Sequence, residues 1–170
     1  MSEQVRVEHD FECSERGFWE VFLDNDYNRD MFLVQLGFGR WELTRWVQDD
    51  QGTTRTVEVE PKVGPLPGPI KKAIGEKIGY REEGRFDSAR KRYEFKVIPG
   101  LLSEKIQVTG VQYTVALGDQ RCRRVFEATI SVKLFGVGGL IEKQIGADMR
   151  RGYEVGAIYT QKHMDKHGIR

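Results

Sequence analysis

The stretch GVGGLIEKQIGADMRRGYEVGAIYTQKHM, residues 136–164, decides the fold. Wound at 3.6 residues per turn, it places Val137, Gly138, Ile141, Ile145, Met149, Gly152, Val155, Gly156 and Tyr159 on one face. Lys143, Arg150, Glu154, Gln161 and Lys162 fall on the other. The spacing predicts one long amphipathic helix whose apolar stripe needs a cover. Gly152 and Gly156 lie one turn apart in that stripe. Each mid-helix glycine costs about 1 kcal/mol relative to alanine, so helix propensity does not account for them. Either they let a sheet approach closely, or they leave unfilled space beneath the helix.

Working outward, the segment before this helix is almost entirely strand signal. Cys122, Arg124, Phe126, Ala128, Ile130, Val132 and Leu134 alternate with their neighbours and run straight into it. Upstream, alternating runs at 40–48, 53–60, 78–86, 90–98 and 103–117 are separated by the turn signals Asp50-Gln51-Gly52, Asp87-Ser88, Pro99-Gly100 and Gly118-Asp119. Gly110 inside the longest run reads as a bulge or bend. A first strand spans 4–12. After it, Ser14 caps a short helix with Phe18, Trp19, Phe22 and Leu23 on its apolar face, and Asp24 to Asp26 break it before a second short helix over 27–36. The fold class is therefore α+β. About seven antiparallel strands form a curved sheet around the C-terminal helix, with two short helices after the first strand, in a single domain over 1–170. A curved sheet gripping one helix encloses an interior.

Composition narrows the function. The 170 residues carry a net charge of +1, which provides no global attraction for nucleic acid. The N-terminus lacks the apolar core of a signal peptide, and no apolar run spans a bilayer. Cys13 and Cys122 read as ordinary thiols of a reducing compartment. The expectation is a cytoplasmic protein whose membrane contact, if any, is peripheral. The sequence does not set an oligomeric state.

The element order, together with Gly39-Arg40-Trp41, the loop Gly64-Pro-Leu-Pro-Gly-Pro69 and Lys133-Leu-Phe-Gly-Val-Gly-Gly-Leu-Ile-Glu-Lys143, resembles the START-like, or SRPBCC helix-grip, superfamily along the whole chain. Within it, these stretches are most similar to VASt-type sterol-binding modules and related bacterial START-like proteins. The resemblance implies a hydrophobic cavity between helix and sheet, of a kind used for lipids, sterols or polyketides.

On that reading the cavity wall comprises Trp41, Leu43, Tyr80, Phe95, Tyr113, Phe126, Ile130, Ile145, Met149, Gly152 and Gly156. Arg45 and Arg55 share their strands' apolar parity. Each could meet a ligand headgroup, sit at a bulge, or reach water from the sheet's open end. Arg45 and Tyr113 are the polar groups expected to orient a ligand. The stiff loop over 61–74 sets Leu66, Ile70 and Ile74 beside Lys62, Lys71 and Lys72, which suits a cavity lid, a tucked surface loop or an anionic membrane surface. Arg121 to Arg124 read as a solvated strand end, and Glu82, Glu83 and Glu94 as ordinary strand-face charges.

No cofactor or metal is indicated. Gly136-Val-Gly-Gly lacks the spacing of a dinucleotide-binding turn, and His163 and His167 lie near the end of the chain, where a frayed tail is expected. The expected function is non-enzymatic binding or transport of a hydrophobic, lipid-, sterol- or isoprenoid-like molecule. The alternative is a polyketide cyclase or aromatase, which needs convergent acid and base groups inside the cavity.

Overall fold

The computed structural model describes residues 1–170. Seven strands form one antiparallel sheet in the order β1-β7-β6-β5-β4-β3-β2. They are β1 (Glu3–Phe11), β2 (Arg40–Asp49), β3 (Gly52–Glu60), β4 (Tyr80–Asp87), β5 (Arg92–Pro99), β6 (Ile106–Gly118) and β7 (Arg121–Val132). Between β1 and β2 lie α1 (Glu15–Leu23) and α2 (Asn25–Arg29), the latter continuing as a π-helical turn over Asp30–Gln35. Ser14 accepts a 3.1 Å bond from the Gly17 amide to start α1, and Asp24 accepts a 2.7 Å bond from Tyr27 to start α2. A short helix α3 (Gly68–Ile74) precedes β4, and α4 (Gly138–His167) closes the chain.

The predicted α+β helix-grip architecture is present. α4 packs on β1 and β7. At its start, the Glu142 carboxylate accepts a 2.8 Å bond from the Val132 amide, tying the end of β7 to the helix. Ile141, Ile145, Met149 and Tyr153 pack on a core built from β1, β6 and β7. A second core joins α1 and α2 to Phe11, Phe86 and Tyr93, and reaches Met164 on α4. A third is smaller: Trp41, Val57 and Val59 sit under the π-helical turn, with Trp41 stacked on Phe32 at 5.8 Å. The space among these three cores is the interior of the grip.

Several local expectations are corrected. Gly110 is not a bulge: β6 pairs in unbroken register with β7 from Ile106 to Ala116, and the irregularity falls between Ala116 and Gly118. The α4 stripe drifts as the helix winds, so Val155 is exposed and Thr160 and Met164 are buried instead. α4 runs on through His163 to His167 and is capped by Gly168 at φ +65°, so these histidines belong to the helix rather than to a frayed tail. The two thiols, far apart in sequence, lie 4.0 Å apart in the core as free cysteines.

Candidate functional site

The inner face of β4 carries Tyr80, Glu82, Gly84 and Phe86, because alternate residues of a strand share a face. Cross-strand neighbours of Glu82 are Val57 on β3 and Val97 on β5, neither of which offers a proton. Its partner comes from Tyr93 on β5, whose hydroxyl donates a 2.8 Å bond to Glu82 Oε1. Arg55 Nε on β3 donates to the same hydroxyl at 3.2 Å, and Arg55 Nη1 to the Phe22 carbonyl at 3.4 Å. The guanidinium also lies over the Phe22 and Tyr93 rings, at 4.6 and 5.0 Å. An Arg–Tyr–Glu relay therefore stands inside the grip.

Gly84 makes the relay possible. A Cβ there would fall 1.9 Å from Tyr93 Oη, so only glycine lets the ring lie across β4. Burial raises the Tyr93 hydroxyl well above its ordinary pKa, and the Glu82 charge adds to the effect. Tyr80 and Tyr153 are raised chiefly by burial, again with a contribution from Glu82. Burial opposes the Arg55 charge, but Tyr93 and Glu82 outweigh it and its pKa lies above the ordinary value. One carboxylate thus acts on tyrosines from β4, β5 and α4.

A second polar group lies deeper, toward β7. Arg124 is 6% exposed and lodged against the Phe11 and Tyr153 rings at 5.2 and 4.8 Å. Its Nη2 donates to His9 Nδ1 at 2.7 Å and to the Tyr153 carbonyl at 3.4 Å. Burial, then Arg124, lowers the His9 pKa. Neutral His9 accepts from Arg124 at Nδ1 and donates from Nε2 to Glu154 at 2.9 Å. Arg124 Nε and Gln112 Nε2 are sealed and unpartnered.

The surface is indented at the end of the sheet where β3 leaves and β4 enters. A cleft of about 510 Å³ there is lined by Val59, Tyr80, Ile106 and Ile74, with charged Arg40, Glu58, Lys77 and Arg81 at its rim. Tyr80 and Tyr153 keep accessible surface although burial raises both hydroxyls. Side chains set deep in a fold that still touch empty space line a cavity.

The anticipated wall is partly assembled. Phe126 and Ile130 are buried on the inner face, Phe126 stacking on Tyr153 at 4.0 Å and on Phe95 at 5.7 Å. Leu43, Tyr80, Ile145 and Met149 are half-buried, and Trp41 is buried on β2. Two residues do not belong. The pairing of β2 with β3 shifts between Leu43 and Arg45, so Arg45 is exposed rather than turned inward. Tyr113 lies on the opposite face of β6 from Val108, Gln112 and Thr114, with Arg92 5.8 Å over its ring.

The helix glycines divide. A Cβ on Gly152 would meet nothing, and one on Gly156 would make ordinary contact with Met31 at 3.5 Å. Close approach falls instead at Gly138, against the Val132 carbonyl, and at Gly146, against Glu3.

In the loop, Ile70 is 1% exposed, and Leu66 and Ile74 pack onto the β6–β7 core. Its apolar tips turn inward as a plug over the cavity end. Leu66, Ile70 and Ile74 do not project as an apolar surface, and Lys62, Lys71 and Lys72 face outward. No helix is long and apolar enough to cross a membrane.

Sequence reasoning missed Glu82, Tyr93, Gln112 and Arg124 as interior polar groups. Strand parity was the available signal: Glu82 alternates with Tyr80 and Phe86, and Arg124 with Cys122 and Phe126.

A curved seven-stranded antiparallel sheet closed by one long C-terminal helix is a START-like, helix-grip fold. The chain belongs to the family described as "Protein of unknown function (DUF2505)", whose profile matches residues 6–163. No curated protein matches the sequence. Among solved structures, the Zhui aromatase/cyclase from Streptomyces sp. R1128 is similar over 98% of this chain and 95% of its own, with a TM-score of 0.71 at 13% identity. Norcoclaurine synthase from Thalictrum flavum, in complex with dopamine and hydroxybenzaldehyde, is similar over 96% of this chain and 88% of its own (TM-score 0.64, 16% identity). A START superfamily protein from Mycobacterium smegmatis is similar over 94% and 97% (TM-score 0.64, 9% identity). At these identities the likeness is one of fold.

Proposed function

We propose that the protein binds a hydrophobic small molecule, of lipid, sterol or isoprenoid type, between α4 and the inner face of the sheet, and carries or senses it without converting it. The observation that supports this most is the pair Tyr80 and Tyr153, whose hydroxyls burial raises although both side chains keep accessible surface. Tyr80 also lines the 510 Å³ cleft, which is of small-molecule size. Apolar burial at roughly 25 cal/mol per Å² would drive binding, and the polar relay would fix the ligand's orientation. The plug at Ile70 would gate access, and any delivery at an anionic membrane would use the exposed Lys71 and Lys72.

A second reading, a cyclase- or aromatase-type enzyme, is favoured by the Arg55–Tyr93–Glu82 relay, which puts a carboxylate beside phenols inside a cavity. An aromatase/cyclase and norcoclaurine synthase are built on this fold, which makes the reading worth testing.

Native mass spectrometry of purified protein, followed by organic extraction of any adduct, tests the binding reading. A stoichiometric adduct of lipid size, lost in Gly152→Leu or Gly156→Leu, is the expected result. A clean unliganded mass, with no uptake from a panel of lipids and polyketides, would sink it. Release of a chemically altered compound from an added panel member would favour the enzyme.

A further inference from the structure

We infer that Glu82 is the polar anchor of the cavity, and that the ligand it selects presents a hydroxyl rather than a carboxylate. This rests on the binding reading above and adds to it the chemistry of the ligand's polar end.

Glu82 Oε1 takes the Tyr93 hydroxyl at 2.8 Å, and that hydroxyl in turn takes Arg55. Arg55 is consumed by the relay: it is 5% exposed, bonded to Tyr93 and the Phe22 carbonyl, and stacked on two rings. It holds the Tyr93 hydroxyl, and through it the Glu82 carboxyl, from behind. Glu82 Oε2 has no protein donor, since its cross-strand neighbours Val57 and Val97 offer none. Along β4 the preceding inward residue is Tyr80, which lines the cleft. Glu82 is thus the next inward position, roughly 7 Å farther in at the rise of a strand.

The protein's sealed, unpartnered side-chain polar atoms are Gln112 Nε2 and Arg124 Nε. The Tyr80 and Tyr153 hydroxyls are neither sealed nor hydrogen-bonded to the protein, so both open on empty space. The cavity therefore offers one charged acceptor and two phenolic donors. A ligand hydroxyl satisfies both kinds, donating to Glu82 Oε2 and accepting from a phenol. A ligand carboxylate would set like charges together in a poorly solvated site.

The other charged groups facing the interior do not reverse this. Arg124 is held by His9 and the Tyr153 carbonyl behind the Tyr153 ring. Glu142 is bonded to the Val132 amide, and Asp30 to the Tyr159 hydroxyl. A sterol, with one hydroxyl on an apolar skeleton, fits this requirement, and a free fatty acid does not.

Two fluorescent probes with one skeleton test the assignment: 1-pyrenebutanol and 1-pyrenebutyrate, titrated into the full chain near neutral pH. The alcohol is expected to bind at least about tenfold more tightly than the acid. Glu82→Gln, isosteric and still able to accept from Tyr93, is expected to erase that preference, whereas Glu82→Asp keeps it. Equal binding of both probes to the wild-type chain, or an unchanged preference in Glu82→Gln, would overturn the inference while leaving the binding reading intact. Failure of both probes, together with a clean native mass, would overturn both.

Discussion

Replacing Gly84 by alanine adds one methyl group, and the geometry fixes where it goes. Its carbon would lie 1.9 Å from Tyr93 Oη, 2.1 Å from Cζ and 2.6 Å from Cε2. Tyr93 is 2% exposed and packed edge-on against Phe22 at 5.0 Å, so the ring has no free volume to enter. It must swing off β4, breaking the bonds to Glu82 and Arg55. A hydrogen bond to a charged group contributes about 1.5–3 kcal/mol, and overpacking a core costs about 1–3 kcal/mol. A combined loss of about 4 kcal/mol follows, and in a chain of this size that lowers Tm by roughly 8–16 °C. Tyr93→Phe, which loses the hydroxyl but keeps the ring, should lose only about half as much. Calorimetric melting of the single variants, and of Gly84→Ala in a Tyr93→Leu background, separates the terms. If the clash is with Tyr93, the alanine is far less damaging once the ring is gone. A Gly84→Ala protein that melts with the wild type, or one equally damaged in both backgrounds, would refute the reasoning.

The same substitution should have opposite signs along α4. Gly152→Ala meets no neighbour and should gain up to about 1 kcal/mol of helix propensity, whereas Gly138→Ala drives a methyl to 2.4 Å from the Val132 carbonyl and should lower Tm. Acidification tests His9. Its folded pKa is held below the ordinary 6.5 by burial and then by Arg124, so the fold disfavours protonation. Its share of stability is complete above pH 6.5 and is lost as the pH falls through 6.5 toward the folded value. Melting curves from about pH 7.5 to 5.5 should therefore fall more steeply for the wild type than for His9→Gln; parallel curves would remove His9 from the account. Ile70→Ala empties the plug and should cost about 3 kcal/mol, with faster amide exchange over residues 66–78 as the readout.

What the sequence determined by itself was local. Alternation between turn residues, followed by one long helical stripe, sets the element order, the antiparallel meander and the need for a helix over an apolar face. Those patterns span a few residues each and survive without knowledge of partners. They also set most inward positions correctly, including Phe95, Phe126 and Ile130.

The tertiary structure decided which face of each strand is inside, and which charges meet there. An irregularity of one residue between Leu43 and Arg45 turns Arg45 out of the interior. On β6 both faces carry apolar side chains, so Tyr113 could be assigned only by pairing with β7, whose inner face holds Arg124 and Phe126. Glu82 sits within Arg81-Glu82-Glu83 and looks like any solvated strand face. It becomes a site because Tyr93, 11 residues on, lies across Gly84, and because Arg55, 38 residues before Tyr93, reaches the same hydroxyl. Periodicity defines two faces of a strand. Register, bulges and sheet curvature choose between them, and those depend on residues far apart in the chain.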